Sequence, residues 1–475
     1  MSHVRRAVAC IVTLTAALFA FALPVSTAAH AVPPTSTTTA NGAVSWLVAQ
    51  QQPDGGFELA QFPGFETRDA ALAIAEGAQT GGTWSTTQAL DALAAVEYQG
   101  DGPTPLNALD DYAATVTTAG AAAKTIVLSA SPLGLDPAAF DAADDGDPVD
   151  LVGLLDSGCG ANTATFGPAF SDTLYGILAK DLVCGAPPAA ALGTVVDAQQ
   201  ANGGWNFIGD PAGTDLDIDT TALAVEGLVA GGATATDPSV QRALAFFAAN
   251  QQASGAWQSF GSDDPNSTSL AILGITAAGF DVESPCWRNT VAPTATATAY
   301  ASPTGWLGSQ QFASPANDLG RVASPNDGFG VNTFATSQTV QGLLQSWLPI
   351  VRAPEQTCTL PVTPTVDTTT PVAGGSITVT GGGFMPSTEL TVELHSTPVV
   401  LGTTTTDVYG NYQANVVIPA DTPPGPHQLV VTGLGPDGQT RSVATDITVV
   451  APDTVVSPET VVAPAAVSAA PRFTG

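Results

Sequence analysis

Between residues 41 and 351 the apolar positions recur at helical spacing, in Ala- and Leu-rich runs broken by polar, Gly-rich turns. Leu223, Val225 and Leu228 form one such stripe, and Leu270, Leu273 and Ile275 another. A small polar or acidic residue stands ahead of each: Asp69, Asp219, Asn266 or Ser267, Asn332 or Thr333. A polar cap followed by an apolar face predicts a helix start. The turns repeat too. Gln51-Gln52-Pro53-Asp54-Gly55-Gly56-Phe57 matches Gln199-Gln200-Ala201-Asn202-Gly203-Gly204-Trp205 and Gln251-Gln252-Ala253-Ser254-Gly255-Ala256-Trp257. Gln310-Gln311 opens another copy, interrupted before Asp327-Gly328-Phe329, while Trp84–Ala95 and Phe166–Ala179 read as degenerate units. A period of about 50 residues predicts roughly six helix pairs, arranged as inner and outer rings.

After Cys358 the period shortens to two. Ser376–Thr380, Glu389–Leu394, Asn411–Ile418, His427–Thr432 and Ser442–Val450 alternate apolar and polar residues between Gly, Pro and Asp-Gly turns. This predicts an all-β sandwich over residues 361–450. The ends differ again. Arg5-Arg6, an apolar run from Ala7 and the small-residue stretch Ala29-His30-Ala31 have the three parts of a secretory signal peptide, residues 1–31. Residues 32–40 read as a Pro/Thr linker, and 451–475 as a disordered Pro/Val/Ala-rich tail. No stretch of the expected mature chain is long and apolar enough to span a bilayer.

The Gln/Gly/aromatic turns resemble the QW repeat of terpenoid cyclases, within the α/α-toroid superfamily shared with the protein prenyltransferases. Ala43, Trp46, Leu47, Gln51, Gly55 and Phe57 fit that pattern, as do Ala243, Phe246, Gln251, Gly255 and Trp257. Gln199, Gly203 and Trp205 keep part of it, and Trp306, Leu307 and Gln311 begin a fourth copy. The resemblance implies a mainly α fold, an α/α toroid of about six helix pairs over residues 41–358. The later stretch, with Gly381-Gly382-Gly383-Phe384-Met385-Pro386, resembles immunoglobulin-like (Ig-like) modules of bacterial surface proteins.

Charge narrows the partners. The chain has 42 acidic and 11 basic residues among 475, a net charge of −31. That excludes nucleic acid, which requires clustered Lys and Arg to displace counterions. The expected toroid holds no histidine: His3 and His30 precede it, and His395 and His427 follow it. Ser-His-Asp and Cys-His catalysis are therefore excluded within it, as is the Asp, Cys, His zinc set that the resemblance to prenyltransferases would imply. Cys159, Cys184, Cys286 and Cys358 remain after removal of the signal, and an even number in an exported chain reads as disulfides. Local closure favours Cys159–Cys184 and Cys286–Cys358.

One motif carries chemistry. Asp215-Leu216-Asp217-Ile218-Asp219-Thr220-Thr221-Ala222 resembles the Asp-x-Asp-Asp-Thr-Ala motif of squalene-type cyclases, with Thr220 replacing the last Asp. The resemblance implies Asp219 as proton donor to an alkene, with Asp217 beside it. The plainer reading makes Asp219 a helix cap, and the sequence favours it. Asp215, Asp217 and Asp219 are the candidate ligand contacts, joined by the aromatics Trp205, Phe207, Trp257 and Phe260. No metal site is predicted and no cofactor is identified: Ca²⁺ at the Asp210–Asp219 carboxylates and cobalamin in the toroid both lack a motif.

The expectation from sequence is an exported protein, cell-surface or cell-wall-associated, with a non-enzymatic toroid that binds a small or extended ligand. The alternatives are a terpene-cyclase-like or other enzyme using Asp219 as general acid, and a structural or adhesive spacer.

Overall fold

The computed structural model describes residues 34–60, 65–80, 84–155, 158–284, 286–291, 300–345, 362–385, 388–407, 410–435 and 439–452. The predicted signal peptide, the tail beyond residue 452 and Cys358 with its proposed bridge to Cys286 lie outside the described residues. The chain forms an α-helical domain followed by an antiparallel β region.

The helices are α1 (Pro34–Val48), α2 (Thr67–Gly77), α3 (Thr86–Ala94), α4 (Pro105–Ala113) and α5 (Ala119–Thr125), the last continuing through a π-turn to Leu133. There follow α6 (Leu151–Leu154), α7 (Phe170–Cys184), α8 (Ala189–Asp197), α9 (Ile218–Ala230) and α10 (Pro238–Asn250). The domain ends with α11 (Pro265–Ala277), α12 (Cys286–Val291), α13 (Pro303–Ser309) and α14 (Phe334–Leu344). One boundary departs from expectation. Helix α1 reaches back to Pro34, into the stretch predicted as a linker. Proline suits a first helical turn, and Ala40, Ala43, Trp46 and Leu47 anchor the helix in the core.

Two kinds of helix are present. Every residue of α11 is buried, and α14 is buried from Phe334 to Leu343. Helix α8 buries only Ala191 and Val195, and α3 only Ala89 and Leu93. A helix buried all round is enclosed by others, and one with a narrow apolar stripe lies at the surface. The enclosed helices pack in sequence: α2 on the π-turn after α5, α5 on α7, α7 on α9, α9 on α11, α11 on α14, and α14 back on α2. Small residues permit the close approach. A Cβ on Gly274 would stand 3.0 Å from the Ala222 Cα, and one on Gly342 2.9 Å from the Ser269 Cα.

The turns join these helices by one repeated network. Gln51 Nε2 donates to the carbonyls of Gly55 (3.2 Å) and Val96 (3.1 Å); Gln199 Nε2 donates to Gly203 (2.7 Å) and Ser239 (2.9 Å). Gln311 Nε2 donates to Gly320 and, across the join between the two ends of the domain, to Thr39, both at 2.9 Å. The turn glycine is obligatory on two counts. Gly203 has φ +94°, and a Cβ there would lie 2.3 Å from the Arg242 carbonyl oxygen. The bridge Cys159–Cys184 is formed, as expected.

The β region holds β3 (Thr365–Val366), β4 (Ser376–Gly381) and β7 (Tyr412–Val417) in one sheet, ordered β3-β4-β7. The second sheet is ordered β6-β5-β8-β9, from β5 (Glu389–His395), β6 (Val399–Thr405), β8 (Gly425–Leu434) and β9 (Thr440–Val449). Alternate residues, among them Ile377, Val379, Leu390, Val392, Ala414, Val416, Leu429 and Val431, make one core. Strand β6 was not expected, because its exposed Val-Val-Leu-Gly-Thr-Thr-Thr run has no buried alternation to signal it. A small hairpin, β1 (Gln258–Ser259) and β2 (Ser262–Asp263), stands ahead of α11.

Candidate functional site at the head of the inner helices

The aromatic residue of each turn is tied to the helix that follows by a threonine the sequence reading did not single out. Thr67 Oγ1 accepts from the Phe57 amide at 3.0 Å, Thr221 from Trp205 at 3.0 Å and Thr268 from Trp257 at 2.9 Å. Thr336 Oγ1 accepts from Val322 at 2.9 Å, so Val322 takes the aromatic's place in the interrupted copy. These threonines set a common register. Two residues before them stand Phe65, Asp219, Asn266 and Phe334; two residues after stand Asp69, Leu223, Leu270 and Gln338.

That register corrects the capping assignment. Asp69 lies inside α2, beyond its threonine, and is not equivalent to Asp219. The cap of α9 is Asp217, whose Oδ1 accepts from the Thr220 amide at 2.9 Å and Oδ2 from the Thr220 hydroxyl at 2.8 Å. The amides of Phe207 and Asp219 also donate to Asp217. Asp264 caps α11 in the same way, accepting from Asn266 at 2.8 Å and Ser267 at 3.2 Å. Asp219 is therefore released from capping. It lies one residue inside α9, accepts from the Ser267 side chain, and keeps its Oδ1 enclosed with no hydrogen-bond partner. Desolvation, then the charge of Asp217, raise its pKa well above the ordinary carboxylate value. Asp217 is raised as well, by burial, but its several donors stabilise its anion. With more donors on Asp217 and an unpartnered oxygen on Asp219, the environment of Asp219 is the one that favours the neutral acid more strongly.

The other predicted contacts fall in different places. Trp205 and Trp257 are fully buried, their indoles donating to the Val195 carbonyl at 2.6 Å and the Phe247 carbonyl at 2.9 Å; they are packing elements of the turns. Phe207 is half-buried beside Asp217. Phe260 is 90% exposed at the tip of the β1–β2 hairpin, turned away from the interior. Asp215 is exposed, 3.4 Å from Asn206 Nδ2. Among the described residues, the carboxylates close enough to share a metal are Asp110, Asp141 and Asp145, not the Asp210–Asp219 set named for Ca²⁺. The Asp110 oxygens there each accept from a backbone amide at 2.6 Å, which orders the loop without an ion.

Sequence reasoning missed a buried polar seam. Glu66 Oε1 accepts from the Thr333 amide at 2.7 Å and its hydroxyl at 3.1 Å, bridging α2 to α14, while Oε2 accepts from the Ala60 amide at 2.5 Å. Phe65 and Phe334 meet edge-to-face beside it, with centroids 4.4 Å apart. Burial pushes Glu66 up to about 7 despite these donors. Farther inside, burial raises Asp69 and lowers Lys124, and the charge of each opposes the shift of the other. Lys124 lies 5.5 Å from the Tyr175 ring centre, and Arg68 lies 4.4 Å from that of Tyr112. A 267-residue separation hides the Glu66–Thr333 contact from any local pattern.

No protein-family model matches the chain, and no curated protein does. Among solved structures, the chain is similar to type II terpene cyclase MstE from Scytonema in its apo form. Identity is 15% and the TM-score 0.42, over 66% of this chain and 99% of that one. A variant of that enzyme in complex with geranylgeranyl dihydroxybenzoate (substrate) gives 15% and 0.42, over 66% and 97%. Another, in complex with merosterolic acid A (product), gives 19% and 0.37, over 66% and 96%. At such values the chemistry has to be argued from the site itself.

Proposed function

We propose that the helical domain is an α/α toroid of about six helix pairs and acts as an acid-catalysing enzyme of the terpene-cyclase kind, with Asp219 as proton donor. The division of roles between Asp217 and Asp219 carries the reading. Asp217 caps the helix, which leaves Asp219 as a carboxylic acid held neutral by burial, with an unpartnered oxygen. Transfer of its proton to a carbon–carbon double bond forms a C–H bond and leaves a carbocation. The Asp217 and Asp264 carboxylates beside it favour positive charge. Attack on that cation by a second double bond of the same chain forms the ring-closing carbon–carbon bond and moves the charge to a new carbon. Loss of a proton from the carbon next to it, to water, restores a double bond. Asp219 is itself only partly enclosed, so water at the helix heads can reprotonate it. The chemistry calls for no metal or cofactor.

Incubation with squalene or geranylgeraniol in D₂O tests this. The wild type is expected to return a cyclised product carrying one deuterium, and Asp219→Asn none. An Asp219→Asn protein as active as the wild type, or a wild type inert toward both, overturns the reading and returns the toroid to ligand binding without catalysis.

We further propose that the protein is exported and displayed at the cell surface or wall, with an Ig-like module as its C-terminal β region. The signal-like N-terminus supports this, and so does Cys159–Cys184, a bond that persists in oxidising compartments.

A further inference from the structure

Three contacts bring the heads of four helices to one end of the helical domain. Ser267 reaches Asp219, joining α9 to α11; Ser324 and Asn326, ahead of α14, donate to Asp264 at the head of α11; and Glu66 joins α2 to Thr333 at the head of α14. The loops entering α9, α11 and α14 therefore share this end, and they carry exposed apolar side chains. Ile208 is 71% exposed, Leu216 65% and Phe260 90%, with Val331 half exposed in the third loop. Apolar surface gathered at one end marks an interaction site where scattered residues do not.

Phe260 adds an independent sign. Ser259 pairs with Ser262, so the hairpin turn is Phe260-Gly261, with φ +47° and +84°. Such a turn calls for Asn, Asp or Gly at its first position, and a bulky side chain there strains the backbone. An aromatic ring held in a strained turn and offered to solvent contributes nothing to the fold. The charge around it is one-sided. Asp210 and Asp215 are exposed and Asp263 and Asp327 half-buried in the same loops, against one basic side chain, Arg321, which is paired with Asp318 at 3.2 Å.

We propose that this end of the helical domain docks a basic polypeptide segment bearing apolar side chains, with Phe260 at the centre of the contact. Carboxylates steer and orient the Lys and Arg side chains. The Phe260 ring offers apolar area, and a π-face to a cation. The proposal is independent of catalysis by Asp219.

The test is fluorescence anisotropy with a labelled amphipathic Leu/Lys peptide at about 0.15 M salt, using a Ser/Lys peptide of equal charge as control. Combined Phe260→Ser, Ile208→Ser and Leu216→Ser is expected to weaken Leu/Lys binding about tenfold or more, and to leave Ser/Lys binding unchanged. Phe260→Asn, which fits the turn, is expected to weaken binding while raising the thermal midpoint, so lost binding cannot be ascribed to misfolding. Equal affinity of wild type and triple variant overturns the proposal. So does an equal loss from Val400→Ser with Val417→Ser in the β region. Binding to phosphatidylcholine vesicles that the triple substitution abolishes would assign the surface to lipid instead. Self-association abolished by the same substitution would assign it to a second copy of the chain.

Discussion

The Glu66 carboxyl makes stability depend on pH in a calculable way. Its pKa is about 7 in the folded chain against 4.5 for a free glutamate, because burial favours the neutral acid. The folded state thus binds this proton more tightly than the unfolded state. The group costs nothing below pH 4.5, and its cost grows by about 1.4 kcal/mol per pH unit up to pH 7. Above that it levels off at about 3 kcal/mol. Glu66→Gln removes the titration. A glutamine has one carbonyl oxygen and must choose between the two Thr333 donors and the Ala60 amide. Keeping Thr333 and losing Ala60 costs about 1 kcal/mol. The variant is therefore expected to be less stable than the wild type by about 1 kcal/mol at pH 4.5 and more stable by about 2 kcal/mol at pH 8.

Groups that do not interact with Glu66 contribute equally to both proteins, so the difference between them reports Glu66 together with its neighbour Glu58. The assay is guanidinium unfolding from pH 4.5 to 8.5, followed by tryptophan fluorescence. All seven tryptophans precede residue 358, so the signal reports the helical domain alone. The two stability curves should cross at roughly pH 5 to 6. Parallel curves across the range would refute the argument and show that water or movement of the Ala60 loop keeps Glu66 ionised.

Three other substitutions probe the remaining architecture. Gly203→Ala sets a Cβ against the Arg242 carbonyl in a left-handed turn and should cost about 2 kcal/mol or more in the same unfolding assay. Cys159→Ser opens a link between residues 25 apart and should cost about 3 kcal/mol, seen also as a lower thermal midpoint of the wild type under reducing agent. Asp217→Ala removes the α9 cap and should cost about 1 kcal/mol. It also removes the charge that helps keep Asp219 neutral, so the Asp219 carboxyl should titrate at lower pH by infrared difference spectroscopy against Asp219→Asn.

What could be read in the sequence follows the range of the interactions that carry it. The Gln-x-x-x-Gly-x-aromatic turn shows in the sequence because each residue answers a local backbone demand. The glutamine reaches the carbonyl four residues on, the glycine turns left-handed, and the aromatic amide meets a threonine hydroxyl 10, 16 or 11 residues later. That last spacing varies with the loop, and this hid the threonines and left the helix heads without a register. With the heads aligned only by the presence of some polar residue, Asp69, Asp219 and Asn266 looked like one repeated cap. Aligned on the threonines, they separate. Asp217 and Asp264 are the caps, Asp219 and Asn266 stand two residues farther in, and Asp69 belongs to an inner layer that in α9 and α11 holds Leu223 and Leu270. A residue that every unit's geometry requires can be dismissed as structural. Asp219 occupies a position filled by Phe in two units and Asn in another, so no repeated demand of the fold accounts for a carboxyl there. Its chemistry therefore has to be sought at the enclosed Oδ1 oxygen, where backbone geometry imposes nothing.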